Sequence, residues 1–341
     1  MRKILASFLV CLISMTSASI ANDVINASNT VHILYYDNIE YQEDPYQFAR
    51  GLALEDFQNH LKFFQSEEYD IVSLNDALHL PTGSKGKKIS IILNAHDTEA
   101  IRHALPLLKR YGYPVEFVVK PSDFTKENIK LDTITKPLLN IINTTEEIDL
   151  TAKILNDETS RFRDYFNNSP PTLFLTNSAA YYNNTELLKP YAFDYILVPD
   201  GEAFMRRPDA STRPKVPYIA VQPSFSNLDV LGSYLNRRAL PYTNFTRHQN
   251  GSDAIKTSWG FNAPATFKPH LKRLKCINHN NKNVDYVIIN NRIEIRYSPI
   301  NKSGNDTVQC TLPILYKNSN KTDTYYYIAL HAPIKKAANS Q

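Results

Sequence analysis

Residues 89–98 read Ile-Ser-Ile-Ile-Leu-Asn-Ala-His-Asp-Thr, and residues 104–114 read Ala-Leu-Pro-Leu-Leu-Lys-Arg-Tyr-Gly-Tyr-Pro. The first stretch is an apolar, β-branched run that ends in polar side chains, and the second repeats apolar residues at helical spacing. Together they predict a strand at Lys88–Leu93, a helix at Thr98–Tyr111 and a further strand at Val115–Val119. Strands that alternate with helices in this way favour a parallel sheet covered by helices.

The same alternation runs through residues 30–238, beginning with a strand at Val31–Asp37 and a helix at Leu54–Glu67. No glycine-rich phosphate loop follows any early strand, and the chain has only nine glycines. A distorted β/α barrel therefore fits better than a doubly wound nucleotide-binding sheet. The other elements predicted in this part are strands at Asp70–Ser73, Thr172–Leu175, Tyr195–Val198 and Tyr218–Val221, and helices at Glu146–Phe166 and Thr185–Leu188.

The character of the sequence changes after the barrel. Residues 239–263 are polar and rich in turn-forming residues, which predicts a linker. Residues 264–335 contain short runs separated by turn residues, and Asn290-Asn291 between two of them predicts a two-residue hairpin turn. This second part is therefore predicted to be a small all-β sandwich.

The first residues have the composition of a secretory signal. Arg2 and Lys3 precede an apolar run over residues 4–13, and Ser19-Ile20-Ala21 supplies the small residues that signal peptidase requires. Residues 1–21 are thus predicted to be removed. The alternative is an uncleaved anchor, but ~10 apolar residues fall short of the ~20 that span a bilayer. The sequence predicts an exported protein, periplasmic or secreted, with no membrane span after cleavage.

The predicted mature chain has little net charge and two cysteines. Loss of the signal lowers the formal charge from +4 to +2, which gives no support to nucleic acid as a partner. Cys276 and Cys310 are predicted to form a disulfide in an oxidising compartment, with their α-carbons ~5–6 Å apart. The alternative is a pair of buried thiols.

These segments resemble the polysaccharide deacetylases of carbohydrate esterase family 4, in particular the nodulation-deacetylase type of barrel. In that family the second barrel strand ends in Thr-Phe-Asp-Asp-Gly, where this chain has Asn94-Ala95-His96-Asp97-Thr98. The following helix of the family carries a near-identical Ala-Leu-Pro-Leu-Leu-Lys-Lys-Tyr-Gly-Tyr-Pro. Residues 57–78 and the strand at Val31–Asp37 are also similar. The resemblance implies the family's distorted β/α barrel, an appended β-domain with a cysteine pair, and an N-acetylated polysaccharide as partner.

The resemblance also implies a catalytic site, although its residues are altered. In the family the first aspartate of the motif is the general base, and the second joins a His-x-x-x-His pair to hold a divalent metal. His96 takes the place of the base and Asp97 that of the metal-binding aspartate, while the histidine pair falls on Asn143 and Glu147. This oxygen-rich set suits Ca²⁺, Mg²⁺ or Mn²⁺ better than Zn²⁺. Alternatively, Glu147 completes a capping box that starts a helix, so no cofactor is firmly implied beyond weak divalent metal.

The family's Arg-x-Pro-Tyr-Gly loop is missing from its expected place after the strand at Thr172–Leu175. Residues 176–183 there read Thr-Asn-Ser-Ala-Ala-Tyr-Tyr-Asn, without the arginine or the glycine. Tyr181 and Tyr182 are candidates to stack on a sugar ring. Packing roles for the two tyrosines explain the sequence equally well.

Three functions remain open from the sequence. The altered motifs favour an exported, deacetylase-like protein that binds N-acetylated glycan but is impaired in catalysis. The alternatives are an active, divergent metal-dependent polysaccharide N-deacetylase that uses His96 and Asp97, and a structural envelope protein without a glycan site. For the favoured function we expect negligible deacetylation and measurable glycan binding near Asp97, Tyr181 and Tyr182, at the carboxyl ends of the barrel strands.

Overall fold

The computed structural model describes the following residues, with gaps between them: 30–41, 51–81, 84, 86–97, 100–123, 137–141, 150–167, 172–176, 180–181, 184–201, 203–205, 215–250, 256–278, 280–298, 306–314 and 324–332. The predicted signal sequence, residues 1–21, lies outside this part of the chain. Within the described ranges, no helix combines the length and the apolar character needed to cross a membrane.

The first part of the chain forms a nearly closed, barrel-like sheet. Its strands are β1 (Thr30–Tyr36), β2 (Ile39–Glu40), β3 (Leu52–Ala53), β4 (Tyr69–Ile71), β5 (Lys87–Asn94), β6 (Glu116–Val119), β7 (Pro137–Asn140), β8 (Thr172–Phe174), β9 (Tyr195–Val198), β10 (Phe204–Met205), β11 (Lys215–Pro217) and β12 (Ile219–Val221). β2 pairs with β3, and the other ten form one sheet with the central order β1-β5-β6-β7-β8-β9, in which every pair is parallel.

The two ends of this central run are brought together by two short strands. β11 pairs with β9, β12 pairs with β1, and only Tyr218 separates β11 from β12. The chain therefore crosses from one end of the run to the other within a few residues. This arrangement confirms the predicted distorted β/α barrel.

Helices cover the barrel sheet. They are α1 (Leu54–Ser66), α2 (Leu74–Leu78), α3 (Leu105–Tyr111), α4 (Ala152–Phe166), α5 (Thr185–Leu188) and α6 (Leu228–Leu235). α1 buries Phe57 and Leu61 because these residues share one face at helical spacing. The helix predicted at Thr98–Tyr111 begins as a π-helix at Ala100–Ala104, continues as α3 and ends at Gly112, whose φ of 69° suits glycine.

Both faces of the barrel strands are buried, as expected for a parallel sheet covered by helices. In β1, Val31, Ile33 and Tyr35 belong to the cluster inside the barrel. Leu34 and Tyr36 point the other way and pack with the covering helices, because successive side chains of a strand alternate between its faces. Tyr35 is the last of the inward residues of β1, so its hydroxyl group reaches the carboxyl end of the barrel.

The second part of the chain is a sandwich of two four-stranded sheets, as predicted. Its strands are β13 (Arg237–Ala239), β14 (Thr243–Asn250), β15 (Lys256–Asn262), β16 (Lys275–Asn278), β17 (Tyr286–Ile289), β18 (Arg292–Tyr297), β19 (Asp306–Ile314) and β20 (Thr324–Ala332). One sheet has the order β13-β20-β19-β16 and the other β14-β15-β18-β17, with a shared apolar core. The predicted turn at Asn290-Asn291 joins β17 to β18, and Asn290 has the positive φ, 60°, that such turns require.

Two strands fall within residues 239–263, the stretch predicted as a linker. β14 lies at the edge of its sheet and exposes polar side chains such as His248, which gives the strand the composition of a loop. In β15 the buried residues Trp259 and Phe261 alternate with polar or small residues on the opposite face. The polar character of this stretch therefore reflects half-exposed strands of the sandwich.

Cys276 and Cys310 are joined by a disulfide between β16 and β19. Their α-carbons lie 4.1 Å apart, which is shorter than the expected distance of ~5–6 Å. The two cysteines face each other directly in an antiparallel pair of strands. In such pairs, opposite α-carbons at non-hydrogen-bonded positions are only ~4.5 Å apart. The disulfide thus links neighbouring strands of one sheet.

Contacts between β1 and the sandwich join the two parts of the chain. The Nε2 atom of His32 donates a hydrogen bond of 2.8 Å to the carbonyl oxygen of Arg237, the first residue of β13. β13 in turn pairs in parallel with β20, so the residues that leave the barrel enter the sandwich sheet immediately.

Candidate functional site

The candidate site lies where β1 and β5 end at the same edge of the barrel. Asp37 follows β1, Asn94 is the last residue of β5, and His96 and Asp97 come directly after it. Because β1 and β5 are parallel neighbours, these polar residues gather at the carboxyl end of the barrel. Active sites of β/α barrels occupy this end.

Asp37 is held in one orientation by two donors. Its Oδ1 atom accepts hydrogen bonds from the Tyr35 hydroxyl at 2.6 Å and from Nδ2 of Asn94 at 3.0 Å. Burial, reinforced by the Asp37 charge, raises the pKa of Tyr35 well above its usual range, so this hydroxyl remains a donor. Asp37 itself is exposed to solvent. The site thus presents an oriented carboxylate at the barrel mouth.

Asp97 connects the loops that follow the two strands. Its Oδ2 atom accepts a hydrogen bond of 2.6 Å from the backbone N–H of Ile39, the first residue of β2. Its carbonyl oxygen accepts a bond of 3.1 Å from the N–H of Ile101 in the π-helix. The carboxylate therefore fixes the path of the chain after β1.

His96 is tied to the ends of β5 and β6. Its backbone N–H donates to Oδ1 of Asn94 at 3.0 Å, and its Nε2 accepts from the backbone N–H of Lys120 at 3.4 Å. The second bond is long, but it directs the Nε2 lone pair toward the protein backbone. His96 could act as a general base through Nε2 only if this hydrogen bond to Lys120 were broken first.

A second group of polar side chains includes Tyr218 and Asp200. The Tyr218 hydroxyl donates to the carbonyl oxygen of Leu175 at 3.0 Å. Burial raises the pKa of Tyr218 well above its usual range, and the negative charges of Asp37 and Asp200 raise it further. Tyr218 is therefore close enough to both carboxylates to be affected by their charges.

Asp200 is fully buried and carries two basic neighbours. Nζ of Lys215 lies 2.5 Å from Oδ2, and Nε2 of His331 lies 3.0 Å from Oδ1. Burial alone disfavours the charged carboxylate, but Lys215 and His331 outweigh this cost and hold the pKa of Asp200 well below its usual range. His331 belongs to β20 of the sandwich, so this cluster joins the two parts of the chain.

The structure places three of the predicted site residues. His96 and Asp97 lie together at the end of β5, as described above. Tyr181 is partly buried against the helix-covered side of the barrel. Burial raises the pKa of Tyr181, while Lys215 and Asp200 act on it with opposite signs, so the side chain lies near that ion pair. The remaining predicted site residues are outside the described part of the chain: Asn143, Glu147 and Tyr182.

The metal site that the resemblance implies falls only partly within the described residues. Among them, no three histidine, cysteine, aspartate or glutamate side chains are grouped so that they could hold a metal ion. Of the predicted ligands only Asp97 is described, and one of its oxygens accepts the Ile39 amide bond. The other two predicted ligands, Asn143 and Glu147, lie outside the described residues, so the metal site stays a prediction.

Sequence reasoning missed Asp37, Tyr218 and an exposed aromatic residue, Tyr41. Tyr41 is 56% exposed, and its ring stacks on His103 with ring centroids 5.3 Å apart and planes 19° apart. It lies two residues after Ile39, whose backbone N–H binds Asp97, and its stacking partner His103 belongs to the π-helix that follows β5. A polar residue directly after a buried strand was the available signal for Asp37, whereas no local pattern distinguishes Tyr218 or Tyr41.

No protein-family model and no curated protein sequence matches the chain. Among solved structures, the chain is similar to IcaB from Ammonifex degensii, with 14% identity, 60% of this chain and 97% of that chain covered, and a TM-score of 0.47. The deacetylase PplD from Streptococcus pyogenes, in complex with acetate, shows 13% identity, 60% and 98% coverage and a TM-score of 0.46. A polysaccharide deacetylase from Bacillus cereus shows 9% identity, with 60% of this chain and 69% of that chain covered and a TM-score of 0.46.

Proposed function

We propose that this protein binds an N-acetylated glycan at the mouth of its barrel without hydrolysing it. The observation that carries the proposal is that the side chains of His96 and Asp97 are engaged in hydrogen bonds to the backbone. Each of these side chains accepts a hydrogen bond from a backbone amide, of Lys120 and Ile39 respectively. The residues that take the place of a base and a metal ligand therefore hold the mouth together.

Tyr41 supports the binding part of the proposal. One face of its ring is covered by His103, and the residue is 56% exposed. A ring held in this way offers its free face to the apolar face of a sugar. Aromatic rings combine apolar contact area with a small loss of side-chain freedom, which suits them to binding sites.

The amide of an N-acetyl group needs hydrogen-bond partners once it leaves water. Asp37 and Asn94 provide an acceptor and a donor at the mouth, and their mutual bond keeps both in place. We therefore place the acetamido group of the glycan next to these two residues.

A second candidate function, an active divergent deacetylase, is favoured by Asp37. This carboxylate is exposed and oriented by Tyr35 and Asn94, as a general base must be. In this second candidate Asp37 takes a proton from the water that attacks the acetamide carbonyl, and it returns that proton to the nitrogen as the C–N bond breaks, so that acetate and a free amine are released.

Binding and turnover are measured on the same protein with N-acetylglucosamine hexamer. We expect saturable binding and no acetate release with Mn²⁺, Mg²⁺, Ca²⁺ or Zn²⁺ present. Tyr41→Ala should weaken binding at the barrel mouth at least tenfold, whereas the matched change Tyr325→Ala, at an exposed tyrosine of the sandwich, should not. Acetate release that is lost in Asp37→Asn or His96→Ala would establish the enzyme, and absence of both binding and turnover would leave the structural envelope protein.

We also propose that the protein is exported to the periplasm or the medium. The signal-like composition of residues 1–21 and the Cys276–Cys310 disulfide support this location. N-terminal sequencing of the protein from fractionated cells should give a chain that begins near Asn22. A cytoplasmic protein that retains Met1 would contradict the proposal.

A further inference from the structure

A groove of about 770 Å³ runs over the sheet β14-β15-β18-β17, on the face turned away from the sandwich core. This sheet-face groove has Ser258 and Gly260 of β15 as its floor. The strand register places Gly260 opposite Glu294 and Ser258 opposite Arg296, so short residues lie beside long ones. The groove is therefore built by the order of side chains along two paired strands.

Arg292 is held flat across the floor of the sheet-face groove. Its Nε donates to Glu294 at 3.1 Å, Nη2 to Thr246 at 3.0 Å and Nη1 to Asn262 at 3.5 Å. A Cβ atom on Gly260 would lie 2.3 Å from Nη2 of Arg292, so the glycine provides the space that the guanidinium occupies. A guanidinium has five N–H groups, and two remain for a ligand.

The next row of the groove consists of side chains without partners. His248, Ser258 and Arg296 lie next to one another across β14, β15 and β18. Within the described part of the chain, these three side chains and that of Asp285 have no hydrogen-bond or ion partner. The groove thus combines one fixed guanidinium with several polar groups that are free to bind.

The charged residues of the groove indicate the net charge of the ligand that it can bind. Arg292 and Arg296 are matched by Asp285 and Glu294, so neither a polyanion nor a polycation is favoured. Sugar hydroxyl groups act as donors and acceptors at once, and they match a surface on which both kinds of group are interleaved. Val287, which is 47% exposed at the edge of the groove, provides apolar surface for the C–H groups of a sugar ring.

We propose that the sheet-face groove is a binding site for an uncharged oligosaccharide, separate from the barrel mouth. The volume lies within the range of ~300–1,000 Å³ that small-molecule sites occupy. The inference does not depend on the function proposed for the barrel, because the residues that build the groove all belong to β14, β15, β17, β18 and the residues adjoining these strands.

Trp259 gives a local readout for this proposal. It is the one tryptophan of the chain and lies in β15 between Ser258 and Gly260, so its indole N–H produces a single NMR resonance directly beneath the groove. The protein is titrated with four hexamers: cellohexaose and N-acetylglucosamine hexamer, which are uncharged, galacturonic acid hexamer, which is anionic, and glucosamine hexamer, which is cationic. We expect a saturable shift of this resonance with an uncharged hexamer, and weaker binding of both charged ones.

Variants separate the groove from the barrel. Arg296→Ala, at an exposed position, and Arg292→Lys, which keeps the charge but loses the planar fork, should each weaken binding of the uncharged hexamer at least tenfold. Arg110→Ala on α3 and Tyr41→Ala at the barrel mouth should leave the Trp259 titration unchanged. The proposal is overturned if neither uncharged hexamer shifts the resonance, if a charged hexamer binds more tightly, or if Tyr41→Ala abolishes the shift.

Discussion

Nε2 of His331 in the sandwich lies 3.0 Å from Oδ1 of Asp200 in the barrel, and Nζ of Lys215 lies 2.5 Å from the other oxygen of the same carboxylate. The Asp200 side chain is completely buried, so its charge depends on these two neighbours. A single carboxylate therefore connects the sandwich to the barrel wall close to Tyr218.

Replacing Lys215 by alanine should destabilise the protein by about 3 kcal/mol, because it leaves the buried Asp200 charge without its closest partner. Urea unfolding measures the change. Lys189→Ala serves as a control, since the Lys189–Glu186 pair is exposed and such pairs contribute only ~0.2–1 kcal/mol. Equal effects of the two variants would contradict the role assigned to Asp200. The stabilisation from this carboxylate is present above pH ~4 and is lost as the pH falls toward its lowered folded pKa.

Protonation of His32 should weaken the fold at mildly acidic pH. Burial lowers the pKa of His32 to about 4, and the bond to the Arg237 carbonyl opposes this only in part. Its Nδ1 is buried without a hydrogen-bond partner among the described residues, so a proton there finds no acceptor. Since the unfolded pKa is ~6.5, this contribution is complete above pH ~6.5 and falls by roughly 3 kcal/mol toward pH ~4. His32→Gln, which keeps a donor to Arg237, should flatten this part of the stability profile, and an unchanged slope would contradict the assignment.

Removal of the disulfide should lower stability without changing the fold. The Cys276–Cys310 bond closes a loop with a sequence separation of 34 residues, which is worth roughly 3–4 kcal/mol in the chain-entropy account. The double change to serine, compared with the parent protein in the presence and absence of reductant, tests this value. Two free thiols in protein taken from its native compartment, detected by mass spectrometry, would show that the bond does not form there.

Loss of the Asp97 carboxylate should affect stability and leave metal content unchanged. Asp97→Ala removes the acceptor of the Ile39 amide bond, and a lost bond of this kind costs about 1–3 kcal/mol. Asp164→Ala, at an exposed position of α4, is the matched control and should have little effect. One equivalent of zinc in the purified parent protein that disappears in Asp97→Ala would mean that Asp97 is a metal ligand after all.

The parts of the fold that the sequence predicted are those set by local patterns. The apolar run of β5 and the Asn290-Asn291 turn can each be recognised within a few residues. β14 was not predicted from the sequence because it is an edge strand with exposed polar residues, so its composition resembles that of a loop. Only the pairing of β14 with β15 shows that these residues belong to the sandwich.

The candidate site was predictable only in part, for the same reason. His96 and Asp97 stand in a motif on one strand, and the sequence placed them together. Asp200, Lys215 and His331 come from three separate segments, and their cluster arises when β20 meets the barrel. No spacing along the chain contains that information.

The parallel pairing of β13 with β20 also sets the order in which a growing chain can finish folding. β13 is synthesised directly after the last barrel helix, whereas its partner strand is among the last residues described. Until β20 has emerged, the backbone of β13 lacks this neighbour and Asp200 lacks His331. The contacts between the barrel and the sandwich can therefore form only after β20 has been synthesised. A protein that ends before Thr324 would lose β20 and, with it, the contact between His331 and Asp200.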